Sequence, residues 1–154
     1  MAHGIPISEL VEVLAVTGPE KIPLVQNGVT SSVSPSTLAS FIGGNAGSVT
    51  NFTTNQTLTV NQTLGIFTNS GAAGTVVLTL PSPITTGLQY TFVVAATQPL
   101  QIDVDGSDVI AIGELTSSAG GFISSDSPYS VVTLKALSSA LWVAIFMLGS
   151  WTPA

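Results

Sequence analysis

Apolar residues alternate with polar or small residues most regularly between Thr75 and Ala96. The apolar positions of this segment are Val76, Leu78, Leu80, Leu88, Tyr90, Phe92 and Val94. Because successive side chains of a β-strand point to opposite faces, this spacing predicts two strands, each with one strongly apolar face. Prolines and a glycine separate the two runs and predict a corner between the strands.

Shorter runs of the same kind continue toward the C-terminus. Leu100–Val104 and Asp108–Ile112 predict one hairpin, and Val131–Leu137 with Leu141–Leu148 predict another. The last run is apolar at every position, which predicts a central strand covered on both faces. We count about eight strands from residue 55 to residue 148, a spacing typical of sandwiches and barrels. The sequence therefore predicts an antiparallel β-sandwich or barrel over residues 55–154.

Residues 1–44 have a different pattern, which predicts an N-terminal arm followed by a small helix–hairpin–helix unit. Ser8 and Ser34 are suited to cap the two helices, and Asn27-Gly28 is the strongest short signal for a hairpin turn. Residues 45–54 are rich in Gly, Asn, Ser and Thr and predict a linker. A unit this small rarely buries a sufficient core alone, so we expect a partner to cover its apolar residues. This candidate attachment surface comprises Leu10, Leu14, Ile22, Leu24, Leu38, Phe41 and Ile42.

Charged residues are scarce, which limits the possible partners. The chain has two Lys and eight Asp or Glu among 154 residues and a formal net charge of −6. Binding to nucleic acid or to an anionic membrane surface requires several Lys or Arg, so we expect neither. Small neutral polar residues replace the charges, and such a surface is poorly protected against association. We therefore expect the protein to be covered by other subunits.

A direct repeat of the sequence Asn-Gln-Thr-Leu occurs at residues 55–58 and 61–64. The simpler interpretation is two adjoining edge strands. The alternative is the start of a β-solenoid or a fibre shaft, although stacked repeats normally need at least about three copies.

Few residues are candidates for chemistry. Asp103, Asp105 and Asp108 have oxygen ligands at a spacing that could hold Ca²⁺, but Asp and Gly are also expected in a β-turn, which is the preferred interpretation. His3 lies in the arm, and only chance would bring Glu114 and Asp126 together as paired acids. The chain has no cysteine. We therefore predict no catalytic, cofactor-binding or metal-binding residue, no cofactor and no enzymatic activity. Four aromatic residues could line a sugar site, but such residues more often form core or subunit contacts, which is the preferred interpretation. They are Tyr90, Tyr129, Trp142 and Trp151.

Two stretches resemble proteins of tailed-bacteriophage virions. Residues 8–43 are similar to an N-terminal module of such proteins, through Thr17-Gly18, Glu20, Ile22–Gly28 and Leu38-Ala39. Residues 75–151 resemble the β domain of phage head fibres, decoration proteins and fibre-like proteins, through residues 75–94, the SSAGG motif at residues 117–121 and the closing LWVAIFMLGSWT. The resemblance implies a homotrimer and carries no catalytic motif.

The sequence and this resemblance together predict a structural virion protein. We expect a trimeric capsid decoration (cement) protein on the exterior of the capsid, whose N-terminal unit binds the major capsid protein. Its length favours this role over a fibre, because a fibre usually adds a long shaft and a tip. The alternative is a short head or tail fibre that binds a host surface glycan.

Overall fold

The computed structural model describes residues 22–26, 29–34, 48–81 and 86–154. The chain divides into two compact units, Met1–Gly43 and Gly44–Ala154. In the first unit, β1 (Ile22–Gln26) pairs with β2 (Val29–Val33) in an antiparallel register that places Gln26 opposite Val29. The two strands of the predicted hairpin are therefore confirmed. The N-terminal arm and the two predicted helices lie outside the described residues.

The second unit is built almost entirely of strands. A single turn of 3₁₀ helix spans Val60–Gln62 in its described part. The strands are β3 (Val49–Asn51), β4 (Gln56–Thr57), β5 (Ile66–Thr68), β6 (Val76–Thr79), β7 (Gln89–Val93), β8 (Leu100–Asp103), β9 (Val109–Ile112), β10 (Leu115–Thr116), β11 (Phe122–Ser125), β12 (Val131–Ala136), β13 (Leu141–Leu148) and β14 (Thr152–Pro153). One sheet has the order β10-β9-β13-β12-β7-β5-β3, and the other has the order β14-β11-β8-β6-β4. Neither sheet closes into a barrel.

Both sheets are mixed, so the prediction of an antiparallel fold is wrong. From β3 to β8 the chain alternates between the sheets and adds each new strand parallel to the previous one in that sheet. The parallel pairs are β3 with β5, β5 with β7, β4 with β6 and β6 with β8. Parallel neighbours need a crossover connection, and here a strand of the opposite sheet supplies it. These residues thus form parallel coils, whereas β11 to β14 add antiparallel pairs.

The two strands with the most regular alternation are confirmed, and their predicted apolar faces are buried. Val76, Leu78 and Leu80 are buried along β6, and the four apolar residues of the second run are buried along β7. The strands lie in different sheets, which agrees with the predicted corner. Their buried side chains and those of β5, β8, β9, β11, β12 and β13 form one core between the sheets. Aromatic rings extend through this core, with the ring centroids of Tyr90 and Trp142 5.6 Å apart.

A buried asparagine connects two turns of the parallel coil. The side chain of Asn69, at the end of β5, is fully buried. Its Oδ1 accepts hydrogen bonds from the backbone N–H groups of Ala95 (2.7 Å) and Ala96 (3.1 Å). Its Nδ2 donates to the backbone carbonyl of Gln98 at 2.8 Å. Asn69 thereby satisfies backbone groups in the corner between β7 and β8, which would otherwise be costly to bury.

Three further predictions are corrected. Residues 100–112 are not a hairpin, because β8 and β9 belong to different sheets. Residues 45–54 are not only a linker, because Val49–Asn51 pairs with β5 and the ring of Phe52 stacks on Phe67 with centroids 6.1 Å apart. The repeat does not form two adjoining edge strands, because its first copy contains β4 and its second copy overlaps the 3₁₀ helix and the following turn.

Candidate functional site

The second half of β13 carries the longest run of consecutive exposed large apolar residues in the part of the chain that the structure describes. β13 lies between β9 and β12, but β9 pairs only with Leu141–Val143. Beyond Val143, β13 pairs with β12 alone. Four consecutive large side chains are exposed there: Ile145 (51%), Phe146 (54%), Met147 (45%) and Leu148 (58%). We call Ile145–Leu148 the apolar strip. β13 is therefore a central strand, as predicted, only over Leu141–Val143, and the predicted cover on both faces is not seen: Trp142 is fully buried, whereas Leu141 and Val143 are half-buried.

The short length of β9 explains why one edge of β13 is unpaired beside the apolar strip. β9 ends at Ile112, and the chain turns back into β10 through Gly113, whose φ is +60°. Glycine adopts this left-handed conformation without steric cost, so the turn follows directly after the strand. β10 then pairs with the other edge of β9, so β9 separates it from β13.

The strip is exposed on both faces of the sheet. Residues opposite each other in an antiparallel pair share a face, and Phe146 lies opposite Thr133 while Leu148 lies opposite Val131. Met147 lies opposite Val132, which is fully buried, so Met147 is on the face toward the core. Ile145 has no opposite residue, because the register shifts between Thr133 and Leu134 as in a β-bulge. The strip thus offers apolar side chains in two opposite directions.

Tyr129 is exposed at the same end of the β12–β13 pair. It is two residues before Val131, which lies opposite Leu148. Its side chain is 80% exposed, its φ is +67°, and its N–H donates to the carbonyl of Val94 at 2.7 Å. A bulky residue rarely adopts a positive φ, so the surrounding backbone holds this aromatic ring outside the core at a cost. Tyr129 adds an aromatic group beside the strip.

Most of the predicted attachment surface lies outside the described residues. Ile22 and Leu24 are in β1, with Val33 and Ser31 as their partners in the register. The five other predicted residues fall outside the described part: Leu10, Leu14, Leu38, Phe41 and Ile42. The surface as a whole stays a prediction. The sequence predicts the uniformly apolar character of the strip but not its exposure.

The three aspartates form a turn, as the sequence favours. Asp103 ends β8 and accepts a hydrogen bond from Gln101 Nε2 at 2.8 Å. The N–H of Asp108 donates to the carbonyl of Asp105 at 3.1 Å, across Gly106 with φ +59°. Among the described residues, no group of three His, Cys, Asp or Glu side chains is placed to hold a metal ion.

Asp108 is unusual because one oxygen of its carboxylate is buried without a partner. The residue is 5% exposed, and its Oδ2 makes no hydrogen bond. Burial raises the pKa of Asp108 above its usual value of 3.8, and the negative charge of Asp105 raises it further. The ionised form is therefore disfavoured in the folded protein relative to the unfolded chain.

We expect Asp108→Asn to stabilise the protein at pH 7 by up to about 1 kcal/mol, because it removes a poorly solvated charge. Since the pKa is raised on folding, the cost to the parent protein is present in full above the folded pKa and disappears below the unfolded value of 3.8. The advantage of the variant should therefore vanish in acid. Denaturant titrations at several pH values measure it, with Asp105→Asn as a control that gives a smaller gain. An Asn variant less stable than its parent at pH 7 would contradict this view and indicate a bound cation.

Three of the four aromatic residues considered for a sugar site are in the core: Tyr90, Trp142 and Trp151. The hydroxyl of Tyr90 donates to the carbonyl of Thr59 at 3.0 Å, and burial raises its pKa to about 12. The indole Nε1 atoms of Trp142 and Trp151 are buried without a partner. Of the four, only Tyr129 could stack on a ligand from solvent.

The two acids considered as a catalytic pair, Glu114 and Asp126, lie beside different sheets. Glu114 is in the turn between β9 and β10 of the seven-stranded sheet, whereas Asp126 follows β11 of the other sheet. Asp126 borders an open polar cleft whose other lining residues are Pro99, Ser124, Ser125, Ser150 and Thr152. His3 lies outside the described residues. No helix in the described ranges has the length and apolar character needed to cross a membrane.

No protein-family model matches the chain, and the search of curated proteins finds no match. The candidate site is therefore defined by the structure alone: an apolar strip on an open strand edge, flanked by an exposed tyrosine.

Proposed function

We propose that this protein is a structural virion protein of a tailed bacteriophage, a trimeric capsid decoration (cement) protein on the capsid exterior. In this proposal the N-terminal unit attaches to the major capsid protein and stabilises its lattice, and the β unit forms the trimer. The protein acts through protein contacts, with no catalytic site, no cofactor, no nucleic acid and no membrane. The sequence resemblance described above suggests the virion; the surface of the β unit supports the assembly.

The uncovered apolar strip is the observation that carries the proposal. Exposed strand edges and consecutive exposed apolar residues promote association, and monomeric proteins avoid them with charges, prolines or bulges. Here the bulge at Ile145 is present, but no charged residue occurs from Ala136 to Ala154. A protein with this surface is expected to function with the strip covered by another subunit.

The division into two units supports separate tasks. Met1–Gly43 and Gly44–Ala154 each form a compact unit. The first contains the predicted attachment surface and the second contains the strip. This proposal includes the two predicted helices of the first unit. The second of them carries Leu38, Phe41 and Ile42 on one face.

Purified heads that have lost their DNA and tails provide the test. Mass spectrometry and density maps of such heads should show this protein on the outer surface, in groups of three. Recovery with tails and absence from heads would refute the decoration role.

A short fibre that binds a host surface glycan is the second candidate. The polar cleft beside Asp126 favours it, because hydroxyl groups and a carboxylate can hydrogen-bond a sugar. Binding to host glycans that is lost in Asp126→Ala, with no protein on heads, would support the fibre instead.

A further inference from the structure

We infer that the polar cleft beside Asp126 binds the guanidinium group of an arginine side chain from a different protein. The cleft has a volume of about 330 Å³ and is open to solvent. The inference goes beyond the proposed function, because it concerns a surface of the β unit that the predicted attachment to the capsid does not use.

Three segments of the chain meet around the cleft at one end of the five-stranded sheet. Ser124 and Ser125 are the last residues of β11, and Asp126 follows them. Thr152, in β14, lies opposite Ser124, and Pro99 directly precedes β8 on the other side of β11. Because β11 is paired along both edges, its residues hold their positions before a ligand arrives.

The cleft offers acceptors that the described residues leave unused. Asp126 forms neither an ion pair nor a hydrogen bond with any residue in the described part of the chain. The hydroxyl groups of Ser124, Ser150 and Thr152 make no hydrogen bond to these residues either. Ser125 is 5% exposed, and its hydroxyl accepts a hydrogen bond from the N–H of Ser127 at 3.4 Å. A ligand with several donors therefore meets one carboxylate and three available hydroxyl groups.

The charge of the cleft selects a cation. Asp126 is the one charged side chain that lines it, and residues 44–154 contain five acidic residues against one lysine. That lysine, Lys135, is in β12 of the other sheet. The resulting field repels anions and attracts cations. A metal ion fits poorly, because a single carboxylate supplies few of the oxygen ligands and little of the charge that Ca²⁺ requires.

A guanidinium group matches these acceptors best. It is planar and has five N–H donors, so it can bind a carboxylate through two parallel hydrogen bonds and still reach neighbouring hydroxyl groups. An ammonium group has three donors around a compact charge. Sites for neutral small molecules are lined mainly by apolar and aromatic side chains, whereas Pro99 is the one apolar residue that lines this cleft. The 154 residues include no arginine, so the guanidinium belongs to a different protein.

The first test is an NMR titration of the full chain, labelled with ¹⁵N, with the end-blocked peptide Gly-Gly-Arg-Gly-Gly. We expect the amide signals of residues 124–126 and 150–152 to shift and to saturate at millimolar peptide. The matched ligand has citrulline in place of arginine, which keeps the shape of the side chain and removes its charge. It should bind at least about tenfold more weakly, because charge-assisted hydrogen bonds are the stronger ones.

Two variants of the protein locate the binding site. Asp126→Asn keeps the size of the side chain and removes its charge, so it should weaken binding of the arginine peptide about tenfold. Asp105→Asn removes the same charge from the turn between β8 and β9, outside the cleft, and should bind as the parent protein does. Absence of binding, equal binding of the arginine and citrulline peptides, or unchanged binding in Asp126→Asn would overturn the inference.

Three further ligands test the identity of the group that binds. A lysine peptide or free arginine that binds more tightly than the arginine peptide would overturn the assignment to an arginine side chain of a protein. A monosaccharide that binds more tightly would also overturn it and would favour the glycan-binding fibre. These titrations contain no capsid, so a negative result would leave the proposed attachment through the N-terminal unit intact.

Discussion

Trp142→Ala is expected to lower the free energy of unfolding of the β unit by about 3–5 kcal/mol. The indole is fully buried on β13, and its ring lies 5.6 Å from the ring of Tyr90. On the two sides of its strand, Trp142 lies opposite Ala136 and Ile110. Alanine would leave a large cavity where both sheets contribute to the core, and the strands cannot close it without breaking their register. Such a loss is a large fraction of the total stability of an ordinary domain.

Trp142→Phe is the matched variant. It keeps an aromatic ring against Tyr90 and removes the indole N–H, which has no partner in the folded protein. The gain from removing an unsatisfied donor offsets part of the lost contact area, so we expect a cost well below that of alanine. Val49→Ala, at a position that is 66% exposed, should change stability by less than about 0.5 kcal/mol. Denaturant titration provides all three values, and an alanine variant as stable as the phenylalanine variant would refute this account of the core.

The buried faces of the strands could be predicted because they are local. Val76, Leu78 and Leu80 are two residues apart, and any sheet that covers one face of this segment must bury all three. The same reasoning is successful for Tyr90 and Phe92 in β7. Chain order also identified the β12–β13 hairpin, because its two strands are joined by a short polar turn.

The direction of strand pairing could not be predicted in the same way. A half-buried strand shows the same alternation whether its neighbour is parallel or antiparallel. In the coils, β5 pairs with β3 and β7, and a strand of the other sheet intervenes each time. Asn69 shows the same dependence on distant residues, because its burial follows from hydrogen bonds to the corner that ends β7.

The candidate site was partly predictable for a related reason. An uninterrupted apolar run predicts that β13 needs cover on both faces, but it does not show what supplies the cover. Neighbouring strands of the same sheet pair with both edges of β13 as far as Val143, and beyond this point β9 has already ended. The need for cover is a property of the segment, whereas the missing cover depends on the length of a different strand.

Deletion of residues 1–43 is expected to abolish binding to the capsid while the β unit remains folded and trimeric. The boundary at Gly44 leaves β3 complete, including the carbonyl of Ser48, which accepts a hydrogen bond from Ile66. The predicted attachment surface lies entirely within the deleted part. Heads stripped of this protein, mixed with the truncated protein and sedimented, measure the binding. Decoration of the heads by residues 44–154 would transfer the attachment role to the β unit.

Phe41→Asp separates attachment from folding more finely. The sequence places Phe41 on the apolar face of a predicted helix. A carboxylate buried there would find few cations in its own chain, whose only Lys or Arg residues are Lys21 and Lys135. Burial of an unpaired charge is costly, so binding should weaken at least about a hundredfold. Ser40→Asp introduces the same charge one residue away, outside this face, and should retain binding. The β unit should melt at the same temperature in both variants as in the parent protein. Equal losses of binding in the two variants would show that charge alone, and not the apolar face, governs attachment.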